Sequence, residues 1–350
     1  MSRICNHHLQ ISAKRGRSRA WLGLIVVLPL ILAACSSGSA GTAATDVTDA
    51  PAKIDGAVKI GYLSMGESDP FVAVVSQSIR DEAAKEGVEL VECDAQFLAD
   101  KALECASIFK AQGVASVINW QLDEPAAAAV CEAYGNLPTV AVDVPQVPCE
   151  KVFVGADNRK AGVMAGEGLA DFAKKKFDCK YDAYVSLDFP SLPGINKARA
   201  GGSKEGFEGV CGAVPADKYF TIDTLQGSPD QQENTRRQMT DVLTSIPDAR
   251  VILLVGPSGE PMVEAAFNAA KTSGRYEDLW VVGHGADVVA LPYIRTDPHW
   301  PGSVAYFPER YGELAVPAAV KLARGESVPR EILVTHEFVT SDNVDSVYPE

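Results

Sequence analysis

The residues best suited to chemistry follow short apolar runs of the chain. Asp143 ends one such run and lies between Val142 and Val144. Because a carboxylate in apolar surroundings is costly to bury without a hydrogen-bond donor, this position favours a binding role for Asp143. Asp69 follows another run and precedes Pro70, so it is either the N-cap of a helix or a contact to a ligand.

Aromatic and basic residues near the ends of other runs could complete such a site. Trp120 and Phe71 are each either packing residues or platforms on which a ligand ring stacks. Arg199 opens a helical segment, where it is either solvated or a donor to the ligand. The loop 256–260 could hold an anion on its backbone N–H groups or be an ordinary turn. The remaining candidates are loop residues that could pair with or stack on a ligand: Ser258, Glu260, His284 and Tyr306.

The chain lacks the motifs of the common enzyme mechanisms. It contains no GxSxG, HExxH or phosphate-binding Walker sequence, and the glycines at 283 and 285 lack the third glycine of a dinucleotide fingerprint. No CxxC is present, and the five histidines show no metal-ligand spacing. We therefore expect a binding protein and not an enzyme, without a cofactor and without a metal.

The N-terminus has the pattern of a secretion signal. Basic residues precede an apolar run of about fifteen residues from Trp21, which is too short to span a bilayer. The run ends in Leu-Ala-Ala-Cys at 32–35, similar to the lipobox of bacterial lipoproteins, whose cysteine receives lipid. We expect a signal peptide at 1–34 and lipidation of Cys35, the alternatives being a membrane anchor or an ordinary cleaved signal. The small, polar residues of 35–56 predict a flexible stalk.

The charge and the cysteines are consistent with export. Removal of 1–34 deletes five Lys/Arg and no Asp/Glu, so the formal net charge of −14 becomes −19, which argues against a nucleic-acid partner. Six cysteines remain besides Cys5 and Cys35, and an even number indicates disulfides in an oxidising compartment. Of the fifteen connectivities that six cysteines allow, we expect the one that closes the shortest loops: Cys93 with Cys105, Cys131 with Cys149, and Cys179 with Cys211.

Apolar runs alternate with helical patterns from residue 57 onward, in two successive series. One helix of the second series is predicted to begin with Ser228 as its N-cap and Pro229 at its first position. Such alternation predicts parallel sheets covered by helices on both faces. We therefore expect an α/β protein of two doubly wound lobes, with ligands bound at the carboxyl ends of the strands.

Several short motifs occur in a characteristic order: Ile60-Gly61-Tyr62, Asp69-Pro70-Phe71, Val154-Gly155-Ala156-Asp157-Asn158, Glu205-Gly206-Phe207, Val281-Val282-Gly283 and Ser303-Val304-Ala305-Tyr306. In this order and spacing, residues 58–349 resemble the type I periplasmic binding proteins of the ribose-binding-protein family, which serve ABC transporters. The resemblance implies two lobes joined by a three-segment hinge. It assigns 57–157 with 307–336 to the N-terminal lobe, and 158–306 with 337–350 to the C-terminal lobe.

The resemblance also implies a ligand site between the lobes. It assigns sugar contacts to residues of both lobes: Asp69, Phe71, Asp143 and Arg199. The chain departs from the family at three loops, where family members often have Arg, Asn-Asp and Asp: Val144, Ser258–Glu260 and His284–Gly285. The departures argue against a common pyranose and leave an unusual sugar, a polyol or another polar compound open.

Together these features predict a monomeric, extracytoplasmic solute-binding protein that is tethered to the cell membrane by lipid. It is expected to capture a small polar ligand, in the first place a carbohydrate, and to deliver it to the permease of an ABC importer. The alternative is a ligand-sensing lipoprotein that reports to a membrane receptor kinase, and the sequence alone does not separate the two.

Overall fold

The computed structural model describes residues 57–226 and 230–349. Residues of both ranges belong to one compact unit. The expected signal peptide, lipidated Cys35 and stalk lie outside the described residues, as does the expected helix cap at Ser228. No helix within the two described ranges combines the length and apolar character needed to cross a bilayer.

Twelve strands and ten α-helices alternate along the described part of the chain. The first series is β1 (Lys59–Ser64), α1 (Pro70–Lys85), β2 (Glu89–Asp94), α2 (Ala99–Gln112), β3 (Ser116–Asn119), α3 (Ala127–Tyr134), β4 (Thr139–Val142) and β5 (Glu150–Ala156). The second series is α4 (Asn158–Phe177), β6 (Ala183–Asp188), α5 (Pro193–Cys211), β7 (Tyr219–Asp223), α6 (Gln231–Ser245), β8 (Ile252–Gly256), α7 (Glu260–Thr272), β9 (Leu279–Gly285), α8 (Leu291–Thr296) and β10 (Gly302–Ala305). The last elements are α9 (Tyr311–Ala323), β11 (Glu331–Val334), β12 (Glu337–Val339) and α10 (Val344–Val347).

The strands form two six-stranded sheets. The first has the order β11-β5-β4-β3-β1-β2, and the second has the order β12-β10-β9-β8-β6-β7. All neighbouring strands are parallel except β10 and β12, which are antiparallel. This arrangement confirms the predicted α/β class with two doubly wound parallel sheets.

The chain passes three times between the part built on the first sheet, here the first lobe, and the part built on the second, the second lobe. It crosses between β5 and α4, between β10 and α9, and between β11 and β12. Helix α4 packs against the second sheet, and α9 packs against α1 and the first sheet. Three crossings make a hinge and not a single tether. The residue boundaries assigned to the lobes stay a prediction.

Two disulfides link segments of the first lobe, and a third links segments of the second lobe. Each closes a loop of 12 to 32 residues, which in the chain-entropy model stabilises the fold by roughly 3 kcal/mol. The cysteines pair in sequential order, as expected: Cys93 with Cys105, Cys131 with Cys149, and Cys179 with Cys211.

Helix α6 begins later than the sequence suggested. Its first residue is Gln231, and Asp230 is the N-cap, whose Oδ1 accepts a hydrogen bond from the amide of Glu233 at 2.9 Å. The predicted N-cap at Ser228 is therefore wrong. The aspartate next to the first turn supplies a carboxylate, which also interacts favourably with the positive end of the helix dipole.

Glycines allow α4 and α5 to approach each other closely. A Cβ at Gly166 would collide with the carbonyl oxygen of Ser203, and a Cβ at Gly206 would collide with that of Val163. Because the obstructing atoms belong to the backbone, only glycine fits at these two positions. The close contact positions Arg199 on α5 against the N-terminal half of α4.

Candidate functional site

Asp143 lies at the carboxyl end of β4 and is 6% exposed. Its φ of 53° is uncommon for a residue other than glycine. Its Oδ1 accepts hydrogen bonds from the amide of Ala156 at 3.0 Å and from the hydroxyl of Tyr311 at 3.0 Å. Burial raises the pKa of Asp143, while the nearby Arg199 guanidinium lowers it. Arg199 belongs to the other lobe, so the two charges act on each other across the lobes.

Four aromatic rings lie together beside Asp143: Phe71, Trp120, Tyr306 and Tyr311. The Phe71 ring is edge-on to the other three, with centroid distances of 6.0 to 6.3 Å, and Trp120 stacks on Tyr311 at 6.4 Å. Such arrangements are attractive. Trp120 is 1% exposed, and its indole N–H has no acceptor among the described residues. Because an unpaired buried donor costs free energy, this N–H is suited to an oxygen of a ligand.

Arg199 is held by three groups of the second lobe and is not a solvated helix residue. Its Nε donates to Oδ1 of Asn158 at 2.6 Å, and one terminal nitrogen lies 3.5 Å from the carbonyl oxygen of Pro257. The guanidinium lies over the ring of Tyr306, 4.9 Å from the centroid, a distance at which cation–π attraction is effective. Contacts within the protein thus orient the side chain.

His284 orients Tyr306 from the second lobe. Its Nδ1 lies 2.9 Å from the Tyr306 hydroxyl, and its Nε2 lies 3.3 Å from Oγ of Ser203. Ser203 gives its own proton to the carbonyl oxygen of Arg199, so Nε2 is assigned as the donor and Nδ1 as the acceptor. Burial and then the Arg199 charge hold the pKa of His284 well below its ordinary value, so the ring is neutral at neutral pH.

The loop before α7 contributes less to the space between the lobes than the sequence suggested. Glu260 is completely buried, its Oε1 accepts from the amide of Ala286 at 2.8 Å, and its carboxyl group lies over Gly283. Burial, with the charge of Asp287, raises the pKa of Glu260 to about 8, so it is mainly protonated at neutral pH. Ser258 Oγ is buried without a partner in the described residues and is free to pair with a ligand.

Asp69 is the N-cap of α1, which is one of the two roles that the sequence left open, and its contact with a ligand stays a prediction. Its Oδ1 accepts from the amides of Phe71 at 2.9 Å and Val72 at 3.2 Å, so it caps α1. Burial raises its pKa. Its charge also contributes, after burial, to raising the pKa of Asp287 in the second lobe to about 6. The cap therefore also faces the other lobe.

Four residues of this region were not among the sequence candidates: Asn158, Asp287, Tyr311 and His336. Asp287 is 5% exposed and follows β9 by two residues, so a search for a carboxylate slightly beyond the strand end would have found it. His336 lies in the third crossing, with its ring 4.9 Å from that of Tyr306. No pattern in the sequence pointed to Tyr311 or to the partnership of Asn158 with Arg199.

A buried amide network supports Trp120 from behind. The Oε1 of Gln146 accepts from the side-chain amides of Asn119 and Gln121, each at 3.0 Å. Its Nε2 donates to the carbonyl oxygens of Gln121 and Val144, each at 3.1 Å. Gln146 therefore joins the loop that carries Trp120 to the loop after β4 that carries Asp143.

The arrangement offers carboxyl acceptors, a guanidinium donor and aromatic faces from both lobes. These groups match a neutral ligand with several hydroxyl groups. Within 57–226 and 230–349, no group of three His, Cys, Asp or Glu side chains has the geometry to hold a metal ion. Two parallel lobes, three crossings and polar groups at their junction define a two-lobed binding protein.

Comparison with known proteins assigns the family. The model described as the periplasmic binding protein domain matches residues 60–327, and the chain belongs to this family. The ribose import binding protein RbsB of Bacillus subtilis (strain 168) is 27% identical over 269 residues, covering 76% of this chain and 81% of that protein. The predicted resemblance to periplasmic binding proteins of the ribose-binding type is confirmed.

Solved structures share the fold. An ABC transporter solute-binding protein from Mycobacterium smegmatis with bound glycerol has a TM-score of 0.71 at 22% identity, covering 84% of this chain and 98% of that one. One from Bacillus halodurans C-125 with bound myo-inositol has a TM-score of 0.68 at 20% identity, covering 83% and 97%. One from Actinobacillus succinogenes 130z with bound D-allose has a TM-score of 0.69 at 18% identity, covering 83% and 99%.

Proposed function

We propose that this protein captures a carbohydrate or a related polyol between its lobes and delivers it to the permease of an ABC importer. The observation that carries the proposal is the placement of Asp143 and Arg199, an acceptor and a donor on opposite lobes, beside a cluster of aromatic rings. The relatives described above are named for, or contain, ribose, glycerol, myo-inositol and D-allose, all of which are polyhydroxy compounds.

The chemistry of the two charged groups suits hydroxyl recognition. Asp143 accepts hydrogen bonds from ligand hydroxyls and Arg199 donates to ligand oxygens, so a single polyol satisfies both. A ligand that contacts both lobes binds the closed arrangement better than an open one, and this differential affinity drives closure. The three crossings then act as the hinge of a rigid-body motion.

The site residues proposed to contact the ligand come from both lobes. Asp69, Phe71, Trp120 and Asp143 are contributed by the first lobe, and Arg199, Ser258, His284 and Tyr306 by the second. For Glu260, which is bonded inside the second lobe, we propose an indirect role through the backbone of Ala286. The closed site would thus combine polar groups from both lobes with one aromatic cluster.

The protein is proposed to act outside the cytoplasm as a monomer anchored by lipid at Cys35. The support is the sequence pattern at 1–35 together with membership of a periplasmic family. Cys35→Ser should abolish incorporation of labelled fatty acid and release the processed protein from the membrane fraction. A Cys35→Ser protein that has lost its signal and still sediments with membranes would contradict the anchor.

Mass spectrometry of ligand retained by protein purified without denaturation, followed by calorimetry, tests the sugar-binding proposal. D-ribose, D-allose, myo-inositol and glycerol form the first panel. Asp143→Ala and Arg199→Ala should each weaken binding by about tenfold to a hundredfold, since a hydrogen bond to a charged group contributes about 1.5–3 kcal/mol. Lys197→Ala, an exposed change in the same helix as Arg199, serves as the control and should bind normally.

Two results would contradict the proposal in different ways. A retained ligand without hydroxyl groups would exclude the carbohydrate class. If Asp143→Ala and Arg199→Ala both bind the ligand with unchanged affinity, and circular dichroism shows an intact fold, other residues bind the ligand.

A further inference from the structure

A cavity of about 310 Å³ lies between the lobes. Its walls come from the loops that follow β1, β2 and β3 in the first lobe and β6 and β7 in the second lobe. Volumes of this order are at the lower end for small-molecule pockets. The side chains that dominate the lining are apolar: Met65, Phe97, Leu98, Leu122, Leu192 and Leu225.

The polar residues of the wall offer little to a hydroxyl group. Both N–H donors of the Gln121 side chain are used, since Nε2 donates to the carbonyl oxygen of Asp123 and to Oε1 of Gln146, and its Oε1 already accepts from the amide of Asp123. Asp123 and Ser191 are exposed at the rim. A hydroxyl placed deep in this cavity would lose water without gaining a partner, which is costly. The cavity is therefore suited to an apolar group.

Phe97 and Leu98 are presented to the cavity by an unusual turn. Gln96 and Phe97 have φ values of 52° and 60°, a conformation that costs residues other than glycine roughly 1–2 kcal/mol each. The Phe97 amide donates to the carbonyl oxygen of Met65 at 2.6 Å, and its ring lies against Gly66, where a Cβ would collide with it. Phe97 is nonetheless 38% exposed and Leu98 50% exposed, so this costly turn holds apolar side chains in contact with solvent.

Two of the loops that line the cavity also carry residues of the candidate site: the loop after β1 carries Met65 and Asp69, and the loop after β3 carries Trp120 and Leu122. Leu122 follows Trp120 by two residues, and Met65, Leu122, Leu192 and Leu225 pack in the same apolar cluster as Trp120. A ligand that contacts Asp69 and Trp120 therefore lies beside loops that also form the wall of the cavity. Because both lobes form its wall, an occupant of the cavity contacts both lobes, as the sugar half of the ligand does.

We propose that the ligand is a glycoside, whose sugar is held by the candidate site and whose apolar aglycone fills this cavity. The inference rests on the proposed function for its sugar half only. It explains why polar and apolar walls lie side by side in one junction between lobes. It also predicts that a free sugar binds more weakly than a glycoside of the same sugar.

Calorimetry with matched probes tests the inference. For any panel sugar that binds, its α- and β-phenyl glycosides are compared with the free sugar, and at least one anomer should bind about tenfold tighter or more, the gain expected for filling an apolar pocket. Leu122→Ser and Leu225→Ser should remove this gain and leave free-sugar affinity unchanged. Leu333→Ser, an exposed leucine on β11, is the control and should keep the gain.

The outcomes separate this inference from the proposed function. Phenyl glycosides that bind no tighter than the free sugar, or a gain that survives Leu122→Ser, would overturn the aglycone cavity while sugar binding stands. If no panel sugar or glycoside binds, phenol alone is titrated into the wild type and Leu122→Ser. Binding of phenol that is lost in the variant would support the apolar site, and absence of binding to the wild type would overturn it.

Discussion

Gly206→Ala is expected to destabilise the protein, whereas Gly209→Ala, three residues later in the same helix, is expected to stabilise it. A Cβ at Gly206 would lie 3.0 Å from the amide nitrogen of Glu167 and from the carbonyl carbon of Val163, and it would collide with the carbonyl oxygen of Val163. These are backbone atoms of α4, so no side-chain rotation relieves the overlap. Helix α5 would have to move away from α4.

The expected size follows from two opposing effects. Alanine in place of glycine inside a helix stabilises by about 0.5–1 kcal/mol, and this gain applies to both variants. Overpacking costs about 1–3 kcal/mol, and the rigid partners of Gly206 favour the upper part of that range, for a net loss of about 1–2 kcal/mol. At Gly209 a Cβ meets no described atom within 4 Å, so only the gain remains.

Urea and thermal unfolding, followed by circular dichroism, measure the difference. Each kcal/mol shifts the melting temperature by roughly 2–4 °C, so the variants should fall on opposite sides of the wild type. Movement of α5 also displaces Arg199, so sugar affinity should fall in Gly206→Ala and stay normal in Gly209→Ala. Equal shifts in the same direction would show that the glycines do not set the distance between the helices.

Three further predictions concern charge and the amide network. The pKa of Glu260 is raised to about 8 from a reference value of 4.5, so the free energy of unfolding should fall as pH rises from about 5 to 8, by up to about 1.4 kcal/mol per pH unit. Urea unfolding of Glu260→Gln should show a smaller dependence on pH than that of the wild type. Equal pH dependence in the two proteins would contradict this prediction. Gln146→Leu leaves two buried amides without their partner, which costs about 1–3 kcal/mol. Gln146→Leu should also increase the quenching of Trp120 fluorescence by acrylamide, where the signal of a Trp120→Phe protein is subtracted to isolate Trp120. Unchanged quenching would exclude a positioning role for Gln146. D-ribose 5-phosphate should bind more weakly than D-ribose in calorimetry, because the site carries more negative than positive charge. Tighter binding of the phosphate would show that the site has a net attraction for anions.

The fold was accessible from the sequence because its signals are local. Helix α2 ends just before Gly113, whose φ is 66°, and α5 begins at Pro193, because glycine is favoured just after a helix and proline in its first turn. Such signals act within a few residues of the chain. Pairing of the strands followed from the alternation of strand and helix, which leaves parallel sheets as the main solution.

The site was accessible only in part, because its contacts join distant residues. The loop after β4 contains Asp143, whereas Arg199 lies within α5, and the contact of either residue with a ligand stays a prediction. The partner of Asp143, Tyr311, is 168 residues away in sequence and meets it only because α9 returns to the first lobe. Glu260 was expected to contact the ligand, and in the structure its side chain accepts a hydrogen bond from the amide of Ala286. Its carboxyl group occupies space that a Cβ at Gly283 or Gly285 would fill.

The charges at the junction between the lobes favour a neutral ligand over an anionic one. Arg199 acts on Asp143, on Tyr306 and on both histidines near it, and Lys160 acts on His336 as well. Burial lowers the pKa of His284 and His336, so neither supplies a positive charge at neutral pH. Asp143 partly offsets the single guanidinium, and Asp69 adds a further carboxyl, so an anionic ligand would meet more repulsion than attraction. A neutral polyol, which only has to donate and accept hydrogen bonds, is compatible with every group at the junction.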